Sequence, residues 1–451
     1  MVKSLPVYAD EKLLAHLTNI SCVEGGVTSG LIVGQRTPKK DIVVHLTVTP
    51  VPEENGRPIK TEVTNGKPLE LRCVSEILEL DDTWFTFHTE NVSRMLPGGM
   101  WILGLYFSSP ENIFNNEKTL NKVRSIMSFI NKSTARNECL FGDPPGNYKL
   151  VFHYNSKSKQ FACKSIDSSM AFANADWKFQ NSQFVWHKVE SSYSLNRFEP
   201  YEIVDETPKP VIVYLKDKLQ KIRKEIDATI CTVNGVFRKN TDTLQDIKML
   251  TDQQRKTKEK DDSFKVFMYS LTEPPEDMAS KVVVQMTYGE MVFDGIIGSQ
   301  VFLHENATVD ETVLAVKQDI LRSLASRLEM HWDSFDLTDE NNKVHEPPRR
   351  ILFKDKRSGL TFSDYIYKNE TINDIASNLQ LHLGILVPIS DLIDCFERPY
   401  TGKLKPKMDT GEQKANHLGT DKKSDNTNLI LYGIMGAAVV LVISLFLHLF
   451  T

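Results

Sequence analysis

Runs of apolar residues separated by polar turns dominate the first part of the chain. Over residues 8–19 the apolar positions recur at helical spacing, which predicts a helix with one buried face. The dense apolar runs 27–35 and 41–50 predict two strands of a buried sheet, joined by a polar turn. A loop rich in proline, glycine and asparagine is predicted over 51–69.

The stretch MWILGLYFSSP, residues 100–110, predicts an apolar strand that runs into a turn and stops at a proline. A helix is predicted before it, ending ahead of Pro97, with Gly98 and Gly99 forming the turn. Residues 116–133 predict a further helix, because their apolar positions fall on one face. More strands are predicted over 148–155, 160–167 and 175–180. This order of elements indicates an α/β sandwich.

The region after residue 210 changes to a helical pattern. Residues 211–236 predict a helix whose apolar stripe is either a packing face or a short coiled-coil seam. The stripe consists of Leu215, Leu219, Ile222, Ile226 and Ile230. Residues 238–262 are polar and charged, and they predict a solvated loop or insertion.

A second block of apolar patterning follows the predicted loop. Residues 281–306 predict paired strands, and residues 308–332 predict a long amphipathic helix. Either Thr308 or Asp310 is expected to be its N-cap. Together with shorter apolar runs up to residue 396, this block predicts a second α+β domain.

The end of the chain predicts a membrane anchor. Residues 429–450 contain no formal charge, and 22 residues in a helix span the roughly 30 Å of a bilayer core. Within it Gly433, Gly436 and Ala437 form a small-residue face between Leu429 and Phe450. The N-terminus has no secretory signal pattern. We therefore expect a tail-anchored protein whose residues 1–428 face the cytosol.

Composition agrees with a folded protein of more than one domain. Hydrophobic residues make up 41% and charged residues 25% of the 451 residues, with a net charge of −5. No basic run suggests a nucleic-acid partner. The six cysteines are widely spaced without a CxxC pair, so reduced thiols are expected. The predicted divisions are a first domain 1–205, a helix and charged loop 206–270, a second domain 271–399, a tether 400–428 and the span 429–450.

The sequence around residue 105 resembles the segment that carries the zinc ligands in metal-dependent peptidases of the MPN class. Those enzymes place two histidines, a serine and an aspartate there. The corresponding positions in this chain are Phe107, Ser109, Glu117 and Leu120. A phenyl ring has no lone pair and a neutral serine is a poor zinc ligand, so we expect neither a metal nor another cofactor. The similarity reflects either a metal site that has lost its ligands or a chance match.

Other chemistry leaves few signals in this sequence. The phosphate-loop, HExxH and GxSxG patterns are absent. A cysteine–histidine dyad stays open, because its partners can lie far apart in sequence. Arg349 and Arg350, which follow two prolines, belong either to a site for an acidic partner or to a solvated turn.

Several stretches together resemble one family. They are SGLIVGQ and KKDIVVHLTVTP within 29–50, VSRMLPGGMWILGLYF over 92–107, ADWKFQ over 175–180 and AVKQDIL over 315–321. With the terminal span in the same order, this pattern resembles the odorant response abnormal protein 4 family. The positions that carry the resemblance are Gly30, Gly34, Arg94, Leu96, Pro97, Gly98, Gly99, Asp176 and Trp177.

The resemblance implies a non-enzymatic, tail-anchored protein of the endoplasmic reticulum membrane. It implies an MPN-like first domain that has lost its metal ligands. It also implies two protein partners, namely the cysteine protease specific for the ubiquitin-fold modifier and the seven-helix odorant receptors that travel to cilia. The expected function is therefore an adaptor that recruits the protease to the membrane, assists receptor folding and trafficking, or does both.

Two other functions stand beside the adaptor. An active membrane-bound peptidase or isopeptidase is the main alternative, although the substituted zinc positions count against a metal enzyme. A membrane-fusion protein of the SNARE type would carry heptads directly before its anchor, and residues 400–428 have none.

Overall fold

The computed structural model describes most of the chain up to residue 396. The described residues are 5–20, 26–51, 73–142, 144–181, 184–202, 211–254, 263–270, 287–333, 348–367 and 369–396. They belong to a compact unit, Met1–Pro399, and a second unit, Tyr400–Thr451, lies outside them. None of the described helices is both long and apolar enough to cross a membrane. The predicted tether and span, residues 400–450, fall outside the described part.

The described residues form strands and helices in mixed order. The strands are β1 (Val7–Asp10), β2 (Thr28–Arg36), β3 (Asp41–Val48), β4 (Trp101–Ser109), β5 (Tyr148–Asn155), β6 (Phe161–Asp167), β7 (Phe172–Asn174), β8 (Trp177–Gln180), β9 (Trp186–Glu202), β10 (Ile230–Val233), β11 (Phe264–Tyr269), β12 (Thr287–His304), β13 (Arg349–Lys354), β14 (Thr361–Ile366) and β15 (Leu392–Ile393). The helices are α1 (Glu11–Ile20), α2 (Asp82–Met95), α3 (Glu117–Arg136), α4 (Glu138–Phe141), α5 (Val211–Ala228), α6 (Leu244–Gln254), α7 (Val309–Asp333) and α8 (Ile372–Leu383).

The largest sheet has eight strands in the order β7-β6-β5-β4-β2-β3-β1-β8. Its edge strands β7 and β8 are separated in sequence only by Ala175 and Asp176, so the sheet curls until its edges approach each other. Across the curl the ring centroids of Phe152 and Trp177 lie 4.3 Å apart. The mixed α+β class predicted from the sequence is confirmed.

Most elements predicted for this sheet are present. β2 pairs with β3, and β5 pairs with β6, in antiparallel register. α2 ends ahead of Pro97 as predicted. The helix predicted over 8–19 is wrong at its start, because residues 8–10 belong to β1. That strand pairs in parallel with both β3 and β8, so its backbone hydrogen bonds are made within the sheet.

Apolar side chains cover both faces of the curled sheet. On the inner face, Leu13 and Leu17 of α1 pack in one cluster with Tyr106. The other face is covered by α2, by α3 and by residues from the far end of the chain, such as Leu379 and Leu383 of α8. The predicted domain boundaries near residues 205 and 270 stay predictions about independent folding. In the folded chain, apolar residues from both sides of them share this cluster.

A second sheet has the order β10-β11-β9-β12. The paired strands predicted over 281–306 are wrong within the described residues, which form the single long strand β12. Its partner is β9, in continuous antiparallel register from His304 opposite Trp186 to Gly289 opposite Tyr201. The long run of backbone pairing with β9 carries the strand through its glycines.

The elements between the two large strands also correct the sequence predictions. α5 ends at Ala228, and Ile230 begins β10, so the helix predicted over 211–236 is too long. Three of its stripe residues form a packing face rather than an isolated coiled coil: Leu219, Ile222 and Ile226 are buried in one cluster with α7. The loop predicted over 238–262 contains α6. Its residues Leu244 and Ile247, one turn apart, are buried against the same cluster, which is enough to fix a short helix.

The long helix α7 and a small third sheet complete the unit. Thr308 is the N-cap of α7, one of the two candidates predicted. Its Oγ1 accepts a hydrogen bond from the Glu311 N–H at 3.2 Å, and the Thr308 N–H donates to Glu311 Oε2 at 2.8 Å. The third sheet has the order β14-β13-β15, and α8 lies in the chain between β14 and β15.

Candidate functional site

The predicted metal position lies where β4 ends and the chain turns toward α3. Phe107 is completely buried in the apolar layer between the sheet and its helices. Ser109 is also buried, and its Oγ donates to the Glu111 carbonyl oxygen at 2.7 Å. The same Oγ lies 3.1 Å from Nε2 of His153 on the neighbouring strand β5. Phe107 is thus a core residue, and Ser109 ties the strand end to the following loop.

The contact between Ser109 and His153 does not have the geometry of a nucleophile and its base. Because the Ser109 proton goes to a carbonyl oxygen, Nε2 of His153 is left to donate its own proton to Ser109 Oγ. Burial lowers the pKa of His153 to about 4, so the ring is neutral at pH 7. A serine nucleophile needs a base that accepts its proton, and this proton points elsewhere.

The other two predicted metal positions lie on α3. The Glu117 carboxylate is exposed and pairs with Arg124 at 2.7 Å. Leu120 belongs to the buried face of the helix. These four side chains do not fit zinc, which binds nitrogen, sulfur and carboxylate ligands. Across the ranges that the structure describes, no group of three histidine, cysteine, aspartate or glutamate side chains could hold a metal ion.

The family-motif turn between α2 and β4 is in close contact with α7. The Gly98 N–H donates to Oδ1 of Asp319 at 2.9 Å. A Cβ on Gly98 would lie 2.0 Å from the Ala315 carbonyl oxygen, so only glycine allows α7 to approach this closely. Gly99 has φ +78°, a conformation that side-chain-bearing residues rarely adopt. The two glycines therefore serve packing at this turn.

Arg322 of α7 donates hydrogen bonds to four backbone carbonyl groups, three in this turn and one in α4. It donates to the carbonyl oxygens of Leu96 and Pro97 at 3.0 Å, of Met100 at 3.3 Å and of Leu140 at 3.0 Å. The guanidinium is buried, which lowers the pKa of Arg322 to about 10. Since that value is far above 7, the group stays charged and these hydrogen bonds are charge-assisted.

A buried ion pair completes this contact. Asp319 accepts two hydrogen bonds from Arg350 of β13, at 2.9 and 3.0 Å, and both side chains are almost completely buried. We call Asp319, Arg322 and Arg350 the α7 clamp. At its edge Arg94 pairs with Glu329 at 3.2 Å. The α7 clamp joins the motif turn, α7 and the third sheet, so these motif residues hold the fold together.

The remaining family-motif positions are also structural. A Cβ on Gly30 would lie 1.9 Å from the Thr47 carbonyl oxygen, and one on Gly34 would lie 2.2 Å from that of Ile42. Asp176 forms an exposed pair with Lys178. Trp177 is buried against Phe152, as described above for the curled sheet. The structure does not bring the motif positions into one reactive site.

The solvated turn considered for the arginines after the two prolines is wrong, because both lie in strand β13. Arg350 lies in the α7 clamp rather than in a solvated turn or a partner site. Arg349 donates to the carboxylate of Asp394 and, at 3.0 Å, to its carbonyl oxygen. Both arginines thus have acidic partners within this chain.

The cysteines follow the sequence prediction in part. Cys139, Cys163 and Cys231 are free thiols, as expected. Burial raises the pKa of the thiols of Cys139 and Cys163, so neither is an activated nucleophile. Cys73 is disulfide-bonded, so the expectation of reduced thiols is wrong at that position.

Sequence reasoning missed a group of buried histidines where α8 meets the curled sheet. His45 Nε2 lies 2.7 Å from the Leu383 carbonyl oxygen, and His88 Nε2 lies 2.9 Å from that of His382. Carbonyls at a helix C-terminus lack partners within the helix, and these imidazoles supply them. We call His45, His88 and His382 the histidine seam. The three lie far apart in sequence without ligand spacing, so no sequence signal could have found them.

Burial controls the charge of the histidine seam. It lowers the pKa of His45 and His382 to about 3 and that of His88 to about 4. The positive charge of Arg357 lowers the pKa of His45 further. All three rings are therefore neutral at pH 7, where they contribute hydrogen bonds and stacking rather than charge.

Comparison with known proteins gives a family and several relatives. Residues 30–394 match the family described as ODR4-like: Odorant response abnormal 4-like. The chain is 23% identical to Protein odr-4 homolog of Xenopus laevis, with 96% of each chain covered. It is 25% identical to Protein odr-4 homolog of Homo sapiens, over 85% of this chain and 84% of that protein. It is 21% identical to Odorant response abnormal protein 4 of Caenorhabditis elegans, over 80% of this chain and 76% of that protein.

Among solved structures, the chain is similar to the crystal structure of UfSP from C. elegans. The TM-score is 0.44 at 9% identity, covering 85% of this chain and 57% of that one. A likeness at this level supports no conclusion about a shared fold or partner. The family match, in contrast, covers most of the chain, as the resemblance of its separate stretches predicted. This chain belongs to the ODR4-like family.

Proposed function

We propose that this chain is a non-enzymatic adaptor that assists the folding and trafficking of seven-helix odorant receptors. The observation that carries the proposal is the family match over residues 30–394. The names of its relatives refer to odorant response and to no reaction. Receptor handling requires a binding surface rather than a reacting group. The contacts of Phe107 and Ser109, which are those of a packed strand end, support the same reading.

The proposal has a membrane part and a protease part. Residues 429–450 would anchor the chain in the endoplasmic reticulum membrane, and residues 1–428 would bind the cysteine protease specific for the ubiquitin-fold modifier. Fixing a bound protein at a membrane raises its effective concentration toward substrates there. An adaptor of this kind increases the rate of a partner's reaction without contributing a catalytic group.

Co-purification from solubilised membranes tests the proposal. The full chain is compared with a chain that ends at Asn428, and bound proteins are identified by mass spectrometry. We expect receptors with the full chain, and the protease with both chains but in the membrane fraction only with the full one. A full chain that fractionates as a membrane protein without receptors or protease would contradict both partner assignments.

A membrane-bound peptidase or isopeptidase is the alternative, and Ser109, whose Oγ lies 3.1 Å from His153 Nε2, is the place where it can be tested. If Ser109 were a nucleophile, a fluorophosphonate probe would label it, and Ser109→Ala would abolish the labelling. Ser133 of α3, a half-buried residue whose hydroxyl donates to Glu90 of α2, provides the control as Ser133→Ala. We expect no labelling of either serine in the native chain, because the Ser109 proton is held by a carbonyl oxygen.

A further inference from the structure

A cavity of about 360 Å³ lies between strand β4 and the helices that cover it. Its apolar walls include Trp101 of β4, Met127 of α3 and Phe141 of α4. Small-molecule sites typically have volumes of about 300 to 1,000 Å³. At about 30 Å³ for each water-sized group, this space accommodates roughly twelve non-hydrogen atoms. We call it the α2–α3 cavity.

One basic side chain in the α2–α3 cavity lacks an acidic partner. Lys149 of β5 lines the cavity, and its Nζ donates to the Ile102 carbonyl oxygen at 2.9 Å. Within the described ranges, no carboxylate oxygen lies within 4.0 Å of this nitrogen. An ammonium has three N–H donors, so the protein leaves two of them for another acceptor. Lys149 is half-buried, so a carboxylate that reaches these two N–H groups would form charge-assisted hydrogen bonds with them.

The charges nearest to Lys149 largely cancel each other. Burial lowers the pKa of Lys149 to about 8, so the group is mostly charged at pH 7, while Arg36 is paired with Asp41 at 2.9 Å and the two act on Lys149 in opposite directions. Arg322 also lines the cavity, and its guanidinium is held by carbonyl oxygens while the Asp319 carboxylate is bound to Arg350. The cavity thus combines apolar walls with surplus positive charge.

Among the described residues that line the cavity, the one acidic side chain does not balance the charge of Lys149. Glu138 lines the cavity, but it pairs with Arg223 at 2.6 Å, and Arg223 lines the cavity as well. This pair is neutral as a unit. An anion that enters the cavity would therefore meet Lys149 as its available donor.

We propose that the α2–α3 cavity binds a small amphipathic carboxylate. Its two oxygens would accept the remaining N–H groups of Lys149, and its apolar part would lie against Trp101 and Met127. A carboxylate fits better than a phosphate, because three phosphate oxygens require more donors than one lysine supplies. This site is independent of the proposed adaptor function, since neither requires the other.

Hydrogen exchange on the full chain in lipid nanodiscs tests the proposal. Octanoate is compared with octanol and octylamine, which have the same apolar body and a neutral or positive head. At ten times its dissociation constant, octanoate should slow exchange about tenfold in peptides that cover 101–105 and 127–135. The other two ligands should leave these peptides unchanged, and a peptide over 349–366, away from the cavity walls, should not respond. No effect of octanoate, or an equal effect of octanol, would overturn the proposal.

Two lysine variants identify the residue responsible. Lys149→Met keeps the apolar length of the side chain and removes the charge, so it should fold and lose the response to octanoate. Lys132→Met, on the exposed side of α3, is the matched control and should respond as the native chain does. An undiminished response in the folded Lys149→Met variant would rule out the assigned site. If Lys149→Met does not fold, the comparison of the three ligands on the native chain decides.

Discussion

The buried histidines predict that mild acid destabilises this fold. Their pKa values are lower in the folded than in the unfolded chain, so the unfolded state binds more protons once the pH falls below about 6.5. The free energy of unfolding therefore keeps its full value at pH 7 and decreases progressively as the pH falls. The histidine seam and His153 carry most of the effect, and burial lowers the pKa of His16, His187 and His304 in the same direction.

The magnitude follows from the pKa values of these groups. His45, His88, His153 and His382 stay neutral in the fold until the pH reaches about 4 or lower. Each therefore removes about 1.4 kcal/mol of stability per pH unit below 6.5. Asp364 acts in the opposite sense, because burial raises its pKa to about 7 and the folded state binds its proton first. When the contributions of the four histidines and of Asp364 are added, the free energy of unfolding falls by about 3 kcal/mol between pH 7 and 5.5.

Urea unfolding of the full chain in lipid nanodiscs, followed by tryptophan fluorescence, measures this loss. All five tryptophans lie in the described ranges, so the signal reports on this fold. The free energy of unfolding is obtained at pH 7.0 and at pH 5.5. A stability that is equal at both values, or higher at pH 5.5, would refute the reasoning.

A histidine variant makes the test specific. Nδ1 of His382 has no hydrogen-bond partner within the described structure, and its ring stacks on His88 at 5.9 Å. His382→Phe keeps a ring there and removes the titrating group. The loss between pH 7 and 5.5 should then shrink by about 1 kcal/mol. His417→Phe, in the predicted polar tether, is the control and should leave the loss unchanged. An equal loss in native chain and His382→Phe would exclude His382 as a contributor.

Three further variants test the contacts around the motif turn and the end of β4. Gly98→Ala should reduce the free energy of unfolding, measured in urea, by about 3 kcal/mol or more. The reason is that its Cβ would overlap the Ala315 carbonyl oxygen. Asp319→Asn should cost about 3 to 5 kcal/mol in the same assay, because it leaves the buried Arg350 charge without its counter-charge; a change below 1 kcal/mol would contradict the role of the α7 clamp. Ser109→Ala should cost only about 1 kcal/mol and leave co-purification of partners unchanged, whereas loss of the partners with an intact fold would assign Ser109 a functional role.

Local patterns predicted the elements of the curled sheet well. The strands at 28–36 and 41–48 and the helix α3 carry dense or periodic apolar residues, and each buries the face that its pattern indicates. The predictions failed where distant pairing decided the structure. Residues 8–10 became a strand because two other strands flank them, and β12 continued through its glycines because β9 pairs along it. No window of sequence contains that information.

The candidate sites also differ in whether local sequence or distant contacts determine them. The sequence shows a phenylalanine and a leucine at two of the zinc positions, and residue chemistry alone says that neither side chain offers a metal a ligand atom. The α7 clamp could not be predicted, because Arg322 and Asp319 look like ordinary helix residues until Gly98 and Arg350 meet them. The histidine seam and the environment of Lys149 depend in the same way on residues brought together from several elements.

The placement of α8 on the curled sheet has a consequence for synthesis. The strands of that sheet are complete once residue 180 has been made, but its apolar face is covered by side chains that extend to Ile385. At translation rates of about 5 to 20 residues per second, the interval between the two is roughly 10 to 40 seconds. During that time α2 and α3 are available to cover only part of the apolar face of the nascent sheet, and we expect chaperones to bind the rest. A messenger cut short between the codon of residue 180 and the codons of α8 would yield a chain that contains every strand of the sheet but lacks the residues that complete its apolar cover.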